Sequence, residues 1–254
     1  MHRPYARVLY VLGVTTPEQL LAMPLHAVTE VYGEVGLRER FALEVAGLPG
    51  RSTMEDALVW AAALHADQRR TREPYLNHVL RVAIRILTYY RVTDPEVIAA
   101  ALLHDAVEDQ PWGMVGREPD DGPPPVGEAL AAVSARFGPR TARLVAAVTN
   151  PEYAPDRDKD EQYLEHVRDS LAREPWARVL KLSDFTDNGV GVIHAVGPKL
   201  RRAAEKYAPV VPVLRDLLAL PDTPLAPAVK EHIARQLDLA ESRFAVILAE
   251  PTTA

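Results

Sequence analysis

A set of histidines and acids in this sequence has the types and surroundings of metal ligands. His78 lies early in a largely apolar segment. His104-Asp105 follows the strongly apolar run Ile98 to Leu103, and Asp184 closes Lys181-Leu182-Ser183-Asp184. Imidazole plus carboxylate suits a divalent first-row ion such as Mn, Fe, Co, Ni or Zn. A run as apolar as Ile98 to Leu103 would bury the pair that follows it, and buried ionisable groups need partners or a metal. Neighbouring side chains on a helix point about 100° apart. His104 and Asp105 can still converge on one ion if their helix presents its edge to it, with His78 and Asp184 supplying further ligands. A set of this kind leaves positions open for water, as metal-assisted hydrolysis requires.

A second pair of acids follows at once. In His104-Asp105-Ala106-Val107-Glu108-Asp109, Glu108 lies four residues after His104 and so shares its side of a helix. A carboxylate there could orient an attacking water or pass a proton to a leaving oxygen. Asn188, four residues after Asp184, could likewise touch a substrate or hold a ligand in place. Arg69, Arg70 and Arg72 form a local cationic patch before His78, in a chain of net charge −6. Arginine matches phosphate bidentately and stacks on flat bases. Taken singly, each feature has a plainer reading: a capped surface acid, a solvated helix end, or cations at a helix C-terminus. His65 and His194 read as satisfied structural histidines. The combination carries the case for a metal site beside an anion site.

The elements that must position these groups are helices. Ser52-Thr53-Met54-Glu55 fits a capping box opening a helix to His65. A second helix is expected over Leu76 to Tyr90, with Leu80, Ala83, Ile84 and Leu87 on one face. Asp94-Pro95-Glu96 starts another, running to about Val107. Gln110 to Pro125 reads as a loop, then Val126 to Phe137 as a helix closed by Gly138. Further helices are expected at 141–148, 161–172, 176–187, 198–206, 208–218 and 226–248, with a loop over 150–160. Period-2 alternation is scarce, so the fold class is all-α. Gly47-Leu48-Pro49-Gly50 is a candidate boundary, after two or three short helices. Within those, Leu12-Gly13-Val14 and Thr16-Pro17-Glu18-Gln19-Leu20 look like a helix start of the helix-hairpin-helix kind, for which packing or dimerisation is the plainer role.

With 254 residues, 48% apolar and 25% charged, the chain has the length and composition of a globular domain and not of a disordered one. It has no cysteine, which excludes disulfides, cysteine zinc sites and thiol nucleophiles. The acidic balance argues against a broad nucleic-acid-binding face. No apolar run approaches the ~18 residues of a spanning helix. The stretch Val8 to Val14 lacks a following cleavage site, so no signal peptide is expected and the chain reads as cytoplasmic.

From about Met54 to Leu214, six segments in order resemble the HD-domain metal-dependent phosphohydrolases, and within them the (p)ppGpp hydrolase domain of RelA/SpoT-type enzymes and the small alarmone hydrolases. They are AAALHADQ (61–68), RRTREPYLNH (69–78), AALLHDAVED (100–109), FGPRTARLVAAVT (137–149), VLKLSDFTDN (179–188) and EKYAPVVPVL (205–214). The resemblance implies an HD helical bundle over 51–220, with a helical extension of residues 1–50 before it and a packing helix over 221–254. It implies His78, His104, Asp105 and Asp184 as ligands to one divalent ion, usually manganese. It makes Glu108 and Asp109 the catalytic acids and puts Arg69 on the guanine base and Arg70 near the nucleotide or its phosphates. Lys181 and Asn188 would lie by the substrate. The implied reaction is hydrolysis of the 3′-pyrophosphate of a guanosine alarmone, giving GDP or GTP and pyrophosphate.

The sequence departs from the family pattern at Arg72, Val79, Gln110 and Phe185-Thr186-Asp187, and the loop after Asp109 is longer. These changes spare the ligand set and fall around the substrate. Two other readings therefore stay open: hydrolysis of another nucleotide, such as a nucleoside monophosphate or NADPH, and a non-catalytic nucleotide-binding module. The oligomeric state is not legible in the sequence.

Overall fold

The computed structural model describes residues 16–70, 72–191 and 198–249. His194, Thr71 and the Leu12-Gly13-Val14 segment lie outside these. Among the described residues the secondary structure is helical, with one isolated bridge between Arg69 and Pro74. No described helix is long and apolar enough to cross a membrane. The chain divides into two compact units, one ending at Ala142 and the other starting at Arg143.

The first unit begins with α1 (Pro17–Ala22), α2 (Leu25–Val45) and α3 (Arg51–Leu64). Thr16 caps α1, accepting from the Gln19 N–H at 3.3 Å as its Thr-Pro start predicts. Within α2 the helical path breaks at Gly33 (φ 58°, ψ −146°), a conformation that only glycine adopts readily. The capping box expected at Ser52 to Glu55 does not form. The helix starts earlier, at Arg51, after Gly50 at φ 70° and without a side-chain cap. Glu55 pairs instead with Arg51 one turn away, at 2.8 Å. A Cβ on Gly50 would stand 2.7 Å from Pro95, so the close approach of these two segments requires glycine.

The core of this unit is α4 (Tyr75–Thr88) and α5 (Pro95–Leu103). α4 packs between α2 and α5, and α3 packs on the other side of α5. Leu76 to Leu87 are therefore all buried on α4, and Val97 to Leu103 on α5. A helix apolar all round belongs inside, and the Ala-rich α5 meets that condition. Asp94 caps α5 through the Glu96 N–H at 3.0 Å. The helix expected to run to Val107 stops at Leu103. His104 and Asp105 form a turn, and a short helix, α6 (Ala106–Asp109), follows. The expected loop after Gln110 holds one more short helix, α7 (Pro111–Met114), opened by its proline, before α8 (Val126–Phe137) closes at Gly138. α9 (Pro139–Val148) contains the division between the units.

The second unit contains α10 (Lys159–Arg173), α11 (Pro175–Asn188), α12 (Pro198–Tyr207), α13 (Val210–Ala219) and α14 (Pro227–Ala249). α12 and α13 pack on the long α14, and α10 and α11 pack on α13. Arg178 is buried here with its guanidinium on Asp222 at 2.6 and 3.2 Å and on the Leu171 and Ala172 carbonyls. A fully buried arginine requires this kind of complete pairing.

Candidate metal centre

Helix α4 brings His78 into the core of the first unit, and the turn after α5 brings His104 and Asp105 to it. Both rings are buried, at 0% and 3% exposure, and Asp105 is half-buried. One atom from each residue lies within 4.8 Å of the others. The Oδ2 of Asp105 stands 3.4 Å from His78 Nε2 and 3.1 Å from His104 Nε2. Adjacent donors around an ion with bonds of about 2.1 Å are separated by roughly 3 Å, so the spacing fits a shared ion. The tautomer of His104 fits as well. Its Nδ1 donates to the Ala101 carbonyl at 2.8 Å, which leaves Nε2 as the donor atom to a metal. Burial alone would raise the pKa of Asp105. The two imidazoles, His104 foremost, more than offset that and hold it well below the usual carboxylate range.

The break in the helix explains how adjacent residues point at one place. Asp105 sits at φ −97°, ψ −11°, off helical values and toward the bridge region where active-site residues often lie. The i,i+4 ladder resumes at once, with the Asp109 N–H on the Asp105 carbonyl at 2.9 Å.

A tight hairpin leads into α4. The Arg70 N–H bonds to the Glu73 carbonyl at 2.9 Å and the Tyr75 N–H to the Gln68 carbonyl at 3.0 Å. The hairpin is pinned by Glu73, whose two oxygens each take an Arg81 nitrogen at 2.7 Å, with Asn77 Nδ2 at 3.0 Å. Arg69 is exposed, and Arg70 is half-buried with its guanidinium 5.5 Å from the Tyr75 ring centroid. The hairpin thus places Arg70 over the Tyr75 ring, whose hydroxyl meets Asp105 of the histidine–aspartate cluster.

Glu108 and Asp109 are both exposed on α6. Asp109 Oδ2 accepts from Gln68 Nε2 at 2.8 Å. That uses the amide nitrogen, so Gln68 Oε1 faces His65 Nδ1 at 2.6 Å, and His65 carries its proton there. Burial pushes His65 below its ordinary pKa and keeps it neutral at pH 7. Sequence reasoning treated His65 as structural and passed over Gln68, Tyr75 and Glu73. All four lie in the quoted segments 61–68 and 69–78, and their polar types beside apolar runs were the available signal.

Asp184, Lys181 and Asn188 lie in the second unit, on α11, and form a cluster of their own. Lys181 Nζ sits 2.9 Å from Asp184 Oδ2, and Asn188 Nδ2 donates to Asp184 Oδ1 at 2.6 Å. The i,i+4 spacing predicted that Asn188 could hold Asp184, and it does. Burial would lower the pKa of Lys181, but Asp184 more than offsets it and holds the ammonium charged. Phe185, one of the departures from the family pattern, lies in the core of this unit, edge-on to Tyr207 and Phe244 at 6.0 and 6.4 Å. Thr186 is buried with its hydroxyl on the Leu182 carbonyl at 2.8 Å. These two replacements are spent on packing.

Comparison with known proteins agrees with this picture. A family model described as HD domain matches residues 57–188. A guanosine-3′,5′-bis(diphosphate) 3′-pyrophosphohydrolase MESH1 of Drosophila melanogaster is 31% identical over 147 residues, covering 57% of this chain and 71% of that protein. The Mus musculus MESH1 is 35% identical over 133 residues, covering 51% and 63%. A guanosine-3′,5′-bis(diphosphate) 3′-pyrophosphohydrolase of Aquifex aeolicus is 30% identical over 158 residues, covering 61% of this chain but only 20% of that longer protein. A solved structure, described as a metazoan orthologue of SpoT that hydrolyses ppGpp and plays a role in starvation responses, superposes with a TM-score of 0.53. It is 26% identical, covering 74% of this chain and 97% of that one.

Proposed function

The chain belongs to the HD-domain family, its model matching just over half the sequence, and we propose that it is a metal-dependent hydrolase that removes the 3′-pyrophosphate of guanosine alarmones. The observation that carries the reading is the convergence of His78, His104 and Asp105 beside the arginine hairpin. Relatives 30–31% identical to this chain are named for the same reaction.

An HD domain implies a divalent metal, and we assign it to His78, His104 and Asp105, with Asp184 as a further ligand on the strength of its motif. Manganese is our choice of ion, from the same resemblance. Bound there, such an ion supplies an activated water at neutral pH and offsets phosphate charge. The chain's own residues do the rest. Glu108 and Asp109 orient the water and move a proton to the departing oxygen, the work of positioned carboxylates. Gln68 keeps Asp109 oriented. Arg69 stacks on the guanine base and Arg70 meets phosphate, using the planar charge that suits arginine to both. Lys181 and Asn188 serve the substrate and hold Asp184. We place this activity in the cytoplasm, with a free guanine nucleotide as partner.

The test is product analysis after incubating the Mn(II)-loaded protein with ppGpp, with Asp105→Ala as control. GDP and pyrophosphate from the wild type alone support the reading. Bound metal without turnover would overturn the alarmone as substrate and direct the assay to nucleoside monophosphates and NADPH.

A further inference from the structure

We infer that Tyr75 is a positioning residue for the metal centre, acting through Asp105. Its hydroxyl donates to Asp105 Oδ2 at 2.6 Å. That oxygen is the one both imidazoles face, at 3.4 and 3.1 Å. Asp105 itself sits in a turn, and its carboxylate caps no backbone group. Its rotation about the side-chain bonds is therefore set from outside, and Tyr75 is the neutral donor that sets it.

Tyr75 can do this because its own ring is held. His65 stacks on it at a centroid distance of 5.0 Å and 23° between planes, and His78 meets it edge-on at 5.7 Å and 74°. The Arg70 guanidinium lies 5.5 Å from its centroid. Its backbone closes the hairpin on Gln68 at 3.0 Å, and α4 starts at the same residue. A phenol fixed in this way aims one carboxylate oxygen at the two histidines before any ion arrives. Groups that orient metal ligands by hydrogen bonds typically change metal affinity by about 10- to 100-fold when removed. The inference rests on the metal centre assigned above.

The experiment is Mn(II) titration of the apo protein, followed by the electron paramagnetic resonance signal of free Mn(II), for wild type, Tyr75→Phe and Asp105→Ala. Tyr75→Phe keeps the ring and its stack and removes only the hydroxyl. We expect Asp105→Ala to bind no Mn(II) at the site. Tyr75→Phe should bind with full stoichiometry and a dissociation constant raised at least about tenfold. The visible absorption of a Co(II)-loaded sample gives a second readout, and it should change between wild type and Tyr75→Phe as the ligand field changes. Wild-type affinity in Tyr75→Phe, with binding lost in Asp105→Ala, would overturn the role of Tyr75 and leave the metal centre standing. A wild-type protein that takes up no Mn(II) would overturn both.

Discussion

Replacing Glu73 by alanine should destabilise the protein by about 3 kcal/mol, at the lower end of the 3–5 kcal/mol typical of breaking a buried ion pair from one side. The structure sets where in that range it falls. The Arg81 side chain is 4% exposed and meets Glu73 through two nitrogens at 2.7 Å, whereas the Glu73 side chain keeps 21% exposure. The arginine therefore stays desolvated when its carboxylate is removed, while part of the original attraction was already screened by water. Asn77 loses an acceptor at the same time. For a chain of this size such a loss lowers the melting temperature by roughly 6–12 °C. Urea unfolding followed by circular dichroism measures it directly, with the slope compared between variants so that a change in midpoint reports stability. Pairing Glu73→Leu with Arg81→Met should recover most of the loss, because removing both charges leaves none uncompensated. A loss under about 1 kcal/mol for Glu73→Ala would mean that the pair behaves as a surface bridge. The hairpin would then lack the anchor assigned to it.

Asp105→Ala should lose both metal and turnover, as read by metal analysis of the purified protein and by product formation. Glu108→Ala should keep its metal and lose about 10²- to 10⁴-fold in rate, the usual contribution of a positioned acid or base; wild-type turnover in the metal-replete variant would remove Glu108 from the chemistry. Arg69→Ala should raise KM for a guanine nucleotide with little change in kcat, and an unchanged KM would refute stacking. Burial lowers His65 and His166 below their ordinary value of 6.5. The unfolded chain therefore binds more protons than the folded one as pH falls below 6.5. Stability should fall with it, by up to about 1.4 kcal/mol per pH unit for each group until the folded-state pKa is passed. Denaturant midpoints of the apo protein between pH 7.5 and 5 check this, and a His65→Gln variant should show a shallower slope.

The helices were legible because apolar spacing and cap residues determine them locally. Asp94-Pro95 and Thr16-Pro17 start helices where their chemistry puts them. The errors came where tertiary contact outweighs local signal. Ser52 and Glu55 have the spacing of a capping box, but Gly50 must pack against Pro95, and the helix starts to suit that contact. The break after Leu103 falls at His104 and Asp105, two weak helix formers inside an otherwise helical run. Alanine and glutamate on either side continue a helix well, so the sequence around the pair does not mark a boundary. The cluster of His78, His104 and Asp105, which we propose as the metal ligands, was legible as residue types beside apolar runs. Their supports were not, because the bonds of Tyr75, Gln68 and Glu73 span separations that no periodicity encodes.

Those supports give the hairpin over 68–75 more than one task. At its base, Gln68 holds Asp109 and Tyr75 holds Asp105, and these two residues face each other through a backbone hydrogen bond. Near its tip stand the arginines assigned to the nucleotide. Glu73 fastens the whole segment to α4 through Arg81, three residues beyond His78 on the same helix. One short segment thus ties Arg70 to Asp105, the proposed metal ligand, and to Asp109, the proposed catalytic acid, through bonds of 3.0 Å or less. Arg72, where the family pattern has glycine, is exposed on this hairpin and takes no part in those bonds. Its side chain is thus a change at the arginine-bearing end of the hairpin, away from the bonds that hold Asp105, Asp109 and Arg81.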